Sequence, residues 1–294
     1  MFAGFEEKLI CVSGEKIHVR IGGKGRPLLF LHGYPQTSAT WGKVADRFAE
    51  HFTCIIADLP GYGRSSIPPF DGEQAHYSKR GMANLLVDCM SELGFERFSV
   101  LGHDRGARVA YRMAFDHPER VEKLGIVEVV PTALMWDHFN DRMSFSAYHW
   151  TFLAQPHPLP ETMIGANPEF YLDWTLKVWT QDKSLDAFDP DALAEYRRAA
   201  TQADRIRAWC EDYRAGYTID RELDEADRKA GRKIKAPLHF LYTSHGFPAQ
   251  TGNPLELWRA WAETVTGSQT EAGHFVQEEN PDSVVENFVP FFAS

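Results

Sequence analysis

Val100-Leu-Gly-His-Asp-Arg-Gly-Ala-Arg-Val109 is the stretch from which the rest of the chain can be read. An apolar run, Phe98 to Leu101, enters a Gly-x-Asp-x-Gly turn, and a helical pattern carrying alanines and arginines leaves it. That order predicts a strand, a sharp corner and a helix. Gly102 and Gly106 stand where a side chain would collide with neighbouring backbone, and the residue between them is thrust outward. Here it is Asp104. A serine at such an elbow attacks acyl carbons, whereas a carboxylate suits displacement at a saturated carbon and leaves an alkyl ester on the enzyme. Glycine–aspartate pairs are also common in solvated turns, so the partners of Asp104 decide between the two readings.

Outward from the elbow, strands alternate with helices. Upstream, Lys8–Val12, Lys16–Ile21 and Pro27–Leu31 read as strands separated by Ser-Gly and Gly-Gly-Lys-Gly turns. The third has no polar residue, as expected inside a parallel sheet covered on both faces. It runs into His32-Gly33-Tyr34-Pro35, followed by helical spacing from Thr40 to Phe48, the strand Phe52–Ala57, the loop Asp58–Ser66 and a helix around Lys79–Leu93. Downstream, the elbow helix closes near Asp116, and a strand Leu124–Val130 is halted by Pro131. Glu128 is the acid inside that apolar run, either a paired functional group or an edge residue turned to water. Residues 132–218 are rich in aromatics, prolines and helical segments without a convincing strand. They read as a helical cap inserted into a core formed by residues 1–131 and 219–294. The charged stretch Asp220–Lys235 reads as a solvated helix and linker, Ala236–Thr243 as a strand, and Pro281–Phe292 as a helix with Val284, Val285, Phe288 and Phe291 inward. The fold class expected is α/β, a mostly parallel sheet flanked by helices, with ligands at the carboxyl ends of the strands.

With 294 residues, 44% apolar and 24% charged, the chain can bury one substantial core. It contains no run of about 18 uncharged apolar residues, so no membrane partner is expected. The amino terminus lacks a basic segment followed by an apolar one, and a cytoplasmic location is expected. The four cysteines are widely separated, which favours buried thiols over a metal site or disulfides. A net charge of −10 disfavours nucleic acid as partner. It also means that an anionic substrate must be held by local cations. Arg105 and Arg108 are three apart at a helix amino terminus, where the helix dipole disfavours cations, and an anion nearby would account for both. Their forked guanidinium groups match a carboxylate.

Taken together, the His-Gly-x-Pro loop, the Asp58-Leu-Pro-Gly-Tyr-Gly-Arg-Ser65 loop, the elbow, the inserted cap and Gly273-His274 resemble the α/β-hydrolase family in its order of motifs. The resemblance implies Asp104 as nucleophile, His274 as base and an acid that orients it. Thr243–Pro248, where that acid often lies, holds no carboxylate, so Glu128 takes the role, although relatives more usually carry aspartate there. Within the family, His103–Arg108 is most similar to fluoroacetate and haloacetate dehalogenases. That likeness implies that Arg105 and Arg108 bind the substrate carboxylate, and that His149, Trp150 and Tyr213 donate hydrogen bonds to the departing halide. It implies backbone N–H groups of Tyr34 and Arg105 as the oxyanion hole, no cofactor, and hydrolysis of a small anionic haloacid to glycolate and halide. Aromatics in such a cap are otherwise packing, and the arginines otherwise structural. An epoxide hydrolase using Tyr148 and Tyr213 as acids is the nearest alternative, and a small-molecule receptor on the same fold is the non-enzymatic one. The chain is compatible with a homodimer.

Overall fold

The computed structural model describes residues 1–244 and 246–294. Runs of apolar and β-branched residues become strands β1 (Glu6–Val12), β2 (Glu15–Gly23), β3 (Arg26–Leu31), β4 (Phe52–Ala57), β5 (Phe98–His103), β6 (Val121–Val127), β7 (Leu238–Thr243) and β8 (Val265–Thr270). They form one sheet in the order β1-β2-β4-β3-β5-β6-β7-β8. The β1–β2 and β2–β4 pairs are antiparallel and every pair from β4 through β3 to β8 is parallel. The sheet is therefore mostly parallel, and β5, buried throughout, lies in its interior.

Helices α1 (Gly42–Ala49), α2 (Lys79–Glu92) and α3 (Arg105–Asp116) follow β3, β4 and β5. Between β6 and β7 the described chain is helical: α4 (Thr132–Asp137), α5 (Asp141–Ser146), α6 (Tyr148–Leu153), α7 (Leu159–Gly165), α8 (Pro168–Trp179), α9 (Pro190–Ala200), α10 (Ala203–Tyr217) and α11 (Ile219–Lys229). The short α12 (Phe247–Gln250), α13 (Pro254–Arg259) and α14 (Val276–Glu279) precede the last helix, α15 (Pro281–Ala293). Successive strand residues point to opposite sheet faces, so Leu29, Leu31, Val100 and Ile126 join Met82, Leu86, Val109 and Met113 of α2 and α3. Leu28, Phe30, Leu101 and Val127 instead join Val44 and Phe48 of α1 and Val284, Phe288 and Phe292 of α15. The α15 face is rotated slightly from expectation: Phe292 is fully inside, while Val285 and Phe291 are only partly buried.

Three expectations change. β6 ends at Val127, not Val130, because Glu128 leaves the strand with φ +58°, in the left-handed region. The polar, glycine-containing sequence of β8 conceals a strand because it pairs only with β7 and needs no apolar run. The stretch from Asp220 is helical but not simply solvated. Asp220, Asp224 and Asp227 lie on its buried face. Arg112 of α3 donates to Asp224 at 3.0 Å and to Asp227 at 2.6 Å, and Tyr111 Oη donates to Asp224 at 2.8 Å. Asp224 also accepts from the Ala133 N–H at 3.1 Å, which ties α4 to α11. Buried charge of this kind needs partners, and Tyr111 and Arg112 lie more than a hundred residues away in the chain.

Candidate active site

The elbow is built by close approach. A Cβ on Gly106 would overlap the carbonyl oxygens of Leu31 and His32, and one on Gly102 would meet the backbone of Ala107. Only glycine lets α3 start this near β3. Asp104 between them is held at φ +48°, a conformation that a non-glycine residue keeps only when its surroundings impose it. The residue is 7% exposed. Oδ1 accepts a hydrogen bond from the Tyr34 N–H at 2.9 Å, and Oδ2 faces His274 Nε2 at 3.7 Å. Burial pushes the Asp104 pKa up, but His274, aided by His103 and Arg105, outweighs it and holds the carboxyl well below its ordinary range. Asp104 is therefore ionised. The Arg105 N–H, the second expected oxyanion donor, makes no bond to Asp104 in this structure.

His274 is fixed through its backbone. Its N–H donates to Trp179 O at 2.8 Å, and its carbonyl accepts from His103 Nε2 at 2.8 Å. The carbonyl can only accept, so His103 carries its proton on Nε2 and Nδ1 accepts from Gln277 at 3.2 Å. Burial and the charge of His274 push the His103 pKa down to about 3, which keeps it neutral. Burial also lowers the His274 pKa, but Asp104, Glu128 and Glu279 together raise it above its ordinary value. Glu128 is fully buried and seated on Thr243, accepting from its N–H at 2.7 Å and from its hydroxyl at 2.9 Å. Burial lifts its pKa to about 7 against the opposing charge of His274. Glu128 and His274 make no ion pair within 4.0 Å among the described residues; the acid acts on the histidine across a gap. The expectation of direct orientation is corrected accordingly. Gly246 lies against Glu128, where a Cβ would overlap Oε1 and the Thr243 hydroxyl.

The two arginines divide their work unequally. Arg105 is fully buried and its fork is taken by Asp212: Nε donates to Oδ2 at 3.0 Å, and Nη2 to Oδ1 at 2.6 Å and to the carbonyl at 2.7 Å. Lys79 and Tyr62 also bond to this carboxylate. Only Arg105 Nη1 is left without a partner. The expected twin fork is thus corrected: Arg105 does not line the cavity above Asp104, and its fork is spent on Asp212. Arg108 instead lines the cavity above Asp104, with Nη1 donating to Val130 O at 2.8 Å and to Thr132 Oγ1 at 3.1 Å while Nε stays unpaired. Its guanidinium lies 4.6 Å from the Trp150 ring.

The cavity encloses about 390 Å3 and is lined by Asp104, Arg108, Glu128, His149, Trp150, Trp179 and His274. Tyr213 does not line it but stands edge-on to His149 and Trp150, with ring centroids 5.6 Å and 5.9 Å away. His149 is 7% exposed, and burial pushes its pKa down to about 3, so it is neutral. Its Nδ1 and the Tyr213 hydroxyl are buried without hydrogen-bond partners. Buried polar atoms left unsatisfied are uncommon and call for an explanation such as a ligand. Tyr148 lies outside the lining. Trp179, whose ring is 4.3 Å from His149 and 5.6 Å from His274, carries no signal in the sequence that separates it from other aromatics of the insertion. Asp212 is equally silent, since an acid within a helix does not announce a buried partner. Among the described residues no cluster of three or more His, Cys, Asp or Glu side chains is arranged to hold a metal ion, and no helix is long and apolar enough to cross a membrane.

This sheet, elbow and histidine define a hydrolase, and residues 26–281 match the alpha/beta hydrolase fold, so the chain belongs to the α/β-hydrolase family. It is similar to a fluoroacetate dehalogenase of Burkholderia sp, 39% identical over 96% of this chain and 92% of the relative. It is similar as well to a soluble epoxide hydrolase of Corynebacterium sp. (strain C12), 32% identical over 96% of this chain and 95% of that one. Among solved structures, a protein of Nostoc sp PCC 7120 provisionally assigned to the α/β hydrolases superposes with a TM-score of 0.94 at 45% identity, covering 98% and 99% of the two chains.

Proposed function

We propose that this protein hydrolyses haloacetates, fluoroacetate among them, to glycolate and halide through an ester on Asp104, with residues 132–218 serving as the cap over the site. The observation that carries the reading is a pair of unpaired buried polar atoms on residues lining the cavity with the nucleophile, Arg108 Nε and His149 Nδ1, joined by two more on residues outside the lining, Arg105 Nη1 and Tyr213 Oη. The arginine nitrogens suit a substrate carboxylate, the His149 and Tyr213 atoms a leaving halide.

Asp104 Oδ2 attacks the halogen-bearing carbon from the rear, and the carbon–halogen bond breaks toward His149, Trp150 and Tyr213. Oδ1 becomes the ester carbonyl oxygen and keeps the Tyr34 N–H, the donor needed when that oxygen gains charge. Alkylation removes the carboxylate charge that raises the His274 pKa, so His274 loses its proton and becomes a base. It then deprotonates a water that attacks Cγ of Asp104. The charge of Glu128 supports the imidazolium as it forms. Collapse of the tetrahedral species releases glycolate and restores Asp104.

The likeness to an epoxide hydrolase supports a second reading, in which Tyr213 protonates an opening ring. Against it, a neutral epoxide leaves Arg108 Nε, on a residue that lines the cavity, without a task. Free-halide release from fluoro-, chloro- and bromoacetate, measured beside diol formation from styrene oxide, separates the two. Halide release with no diol is expected; diol formation without halide release overturns the proposal.

A further inference from the structure

A second cavity, of about 250 Å3, lies where α9 and the start of α10 meet the loop after β4. Its wall carries Arg64, Arg198 and Arg205 with a single carboxylate, Glu195. The carboxylate is already matched, since Glu195 Oε1 accepts from Arg20 Nη2 at 2.7 Å. Arg64 is matched by Glu7 at 2.5 Å. Neither of the other two cations has a counter-charge. Arg205 is only 8% exposed, yet its bonds go to neutral acceptors: Nε to Gln202 Oε1 and Nη1 to Ser65 O, both at 3.0 Å. Its Nη2 makes no hydrogen bond, and no carboxylate comes within 4.0 Å of the guanidinium among the described residues. Burial lowers its pKa, opposed only by the more remote charge of Asp58. Arg198, exposed at the rim, makes no ion pair either among the described residues. A desolvated cation without an anion is expensive to keep, and this one lies in a chain with net charge −10.

We propose that this cavity binds a doubly charged oxyanion, either inorganic phosphate or the phosphoryl group of a small phosphomonoester, through Arg205 and Arg198. Two uncompensated cations match two negative charges, and guanidinium forks match phosphate oxygens. The site joins α9 and α10 to Thr37 and Gly63 of the sheet loops, so the anion acts as a clasp between the helical insertion and the sheet. It is separate from the Asp104 cavity and shares no lining residue with it.

The test is thermal unfolding of the full chain titrated with low-millimolar inorganic phosphate or ethyl phosphate against chloride at matched ionic strength. A saturable rise in Tm of about 2 °C or more is expected. Arg205→Gln and, should that variant fold poorly, the exposed-site Arg198→Gln should each weaken the midpoint roughly tenfold or more. Halide release should be unchanged in Arg198→Gln. A lower midpoint for ethyl phosphate identifies a phosphomonoester as the ligand, and equal midpoints identify free phosphate. Because Arg108 also lies in an anion-accepting site, the titration is repeated in Arg108→Gln, where the shift should persist. No rise beyond that in chloride, a rise undiminished in Arg198→Gln and Arg205→Gln, or a rise abolished by Arg108→Gln overturns the proposal.

Discussion

Asp104 and His274 exchange charge states during the proposed cycle, and most predictions at the residue scale follow from that. His274→Ala should permit the first displacement and stop the second, so a mass increase on the Asp104 peptide is expected after incubation with chloroacetate. An unmodified peptide from protein that still binds substrate would count against the division of labour. In oxygen-18 water, a single turnover should place label in Asp104 and none in the glycolate hydroxyl; direct attack of water on the substrate carbon gives the reverse. Arg108→Lys keeps the charge and loses the fork, with an expected loss in kcat/KM on the order of 2–4 kcal/mol. Arg105→Lys should cost stability too, because the Asp212 carboxylate loses its two-point partner, and a lower urea midpoint would register it. That Asp104, Arg108 and His274 would meet in one cavity was legible in the sequence, because the elbow fixes its own neighbours and the order of motifs along the chain brings the late histidine to it. The capture of Arg105 by Asp212 was not, since nothing local marks which acid a buried arginine will meet.

At the scale of elements, the informative pair is α3 and α11. Asp224 accepts from Arg112, Tyr111 and the Ala133 N–H, so Asp224→Ala leaves the Ala133 N–H without its acceptor, while Arg112 keeps Asp227 and Tyr111 keeps Thr132. A loss of about 1–3 kcal/mol in unfolding free energy is expected by urea denaturation. A loss within about 0.5 kcal/mol, the range of a surface substitution, would mean that the network is dispensable. Tyr111 also bonds Thr132, which accepts from Arg108, so the same variant should raise KM for haloacetate as the arginine loosens. The inner strands were readable because unbroken apolar runs have few other fates. Both α11 and β8 resisted for one reason: polarity in sequence does not distinguish a solvated residue from one whose partner arrives from elsewhere in the fold.

Over the whole molecule, the buried acids set a pH dependence. Glu128, raised from 4.5 to about 7, and Glu278, raised from 4.5 to about 8, bind protons more tightly folded than unfolded. Their cost enters as pH rises above 4.5 and is complete above those values. His274, also raised, contributes stability below 6.5 that is lost as pH climbs through its folded value. Asp104, depressed, acts oppositely, and its contribution is lost only as pH falls below the ordinary aspartate value of 3.8. Stability should therefore decline from pH 6 to pH 8.5, by an amount on the order of 1–3 kcal/mol, and Glu128→Gln should flatten the decline. Urea midpoints across that range check it; a flat wild-type profile would refute the assignment. The Ala133–Asp224 bond has a different consequence. It pins the first turn after β6 to α11, the last helix before β7, while Asp212, Glu195 and Trp179 carry further bonds to Arg105, Arg20 and His274. Held to the rest of the fold at several places, these helices should unfold together with the sheet in one transition.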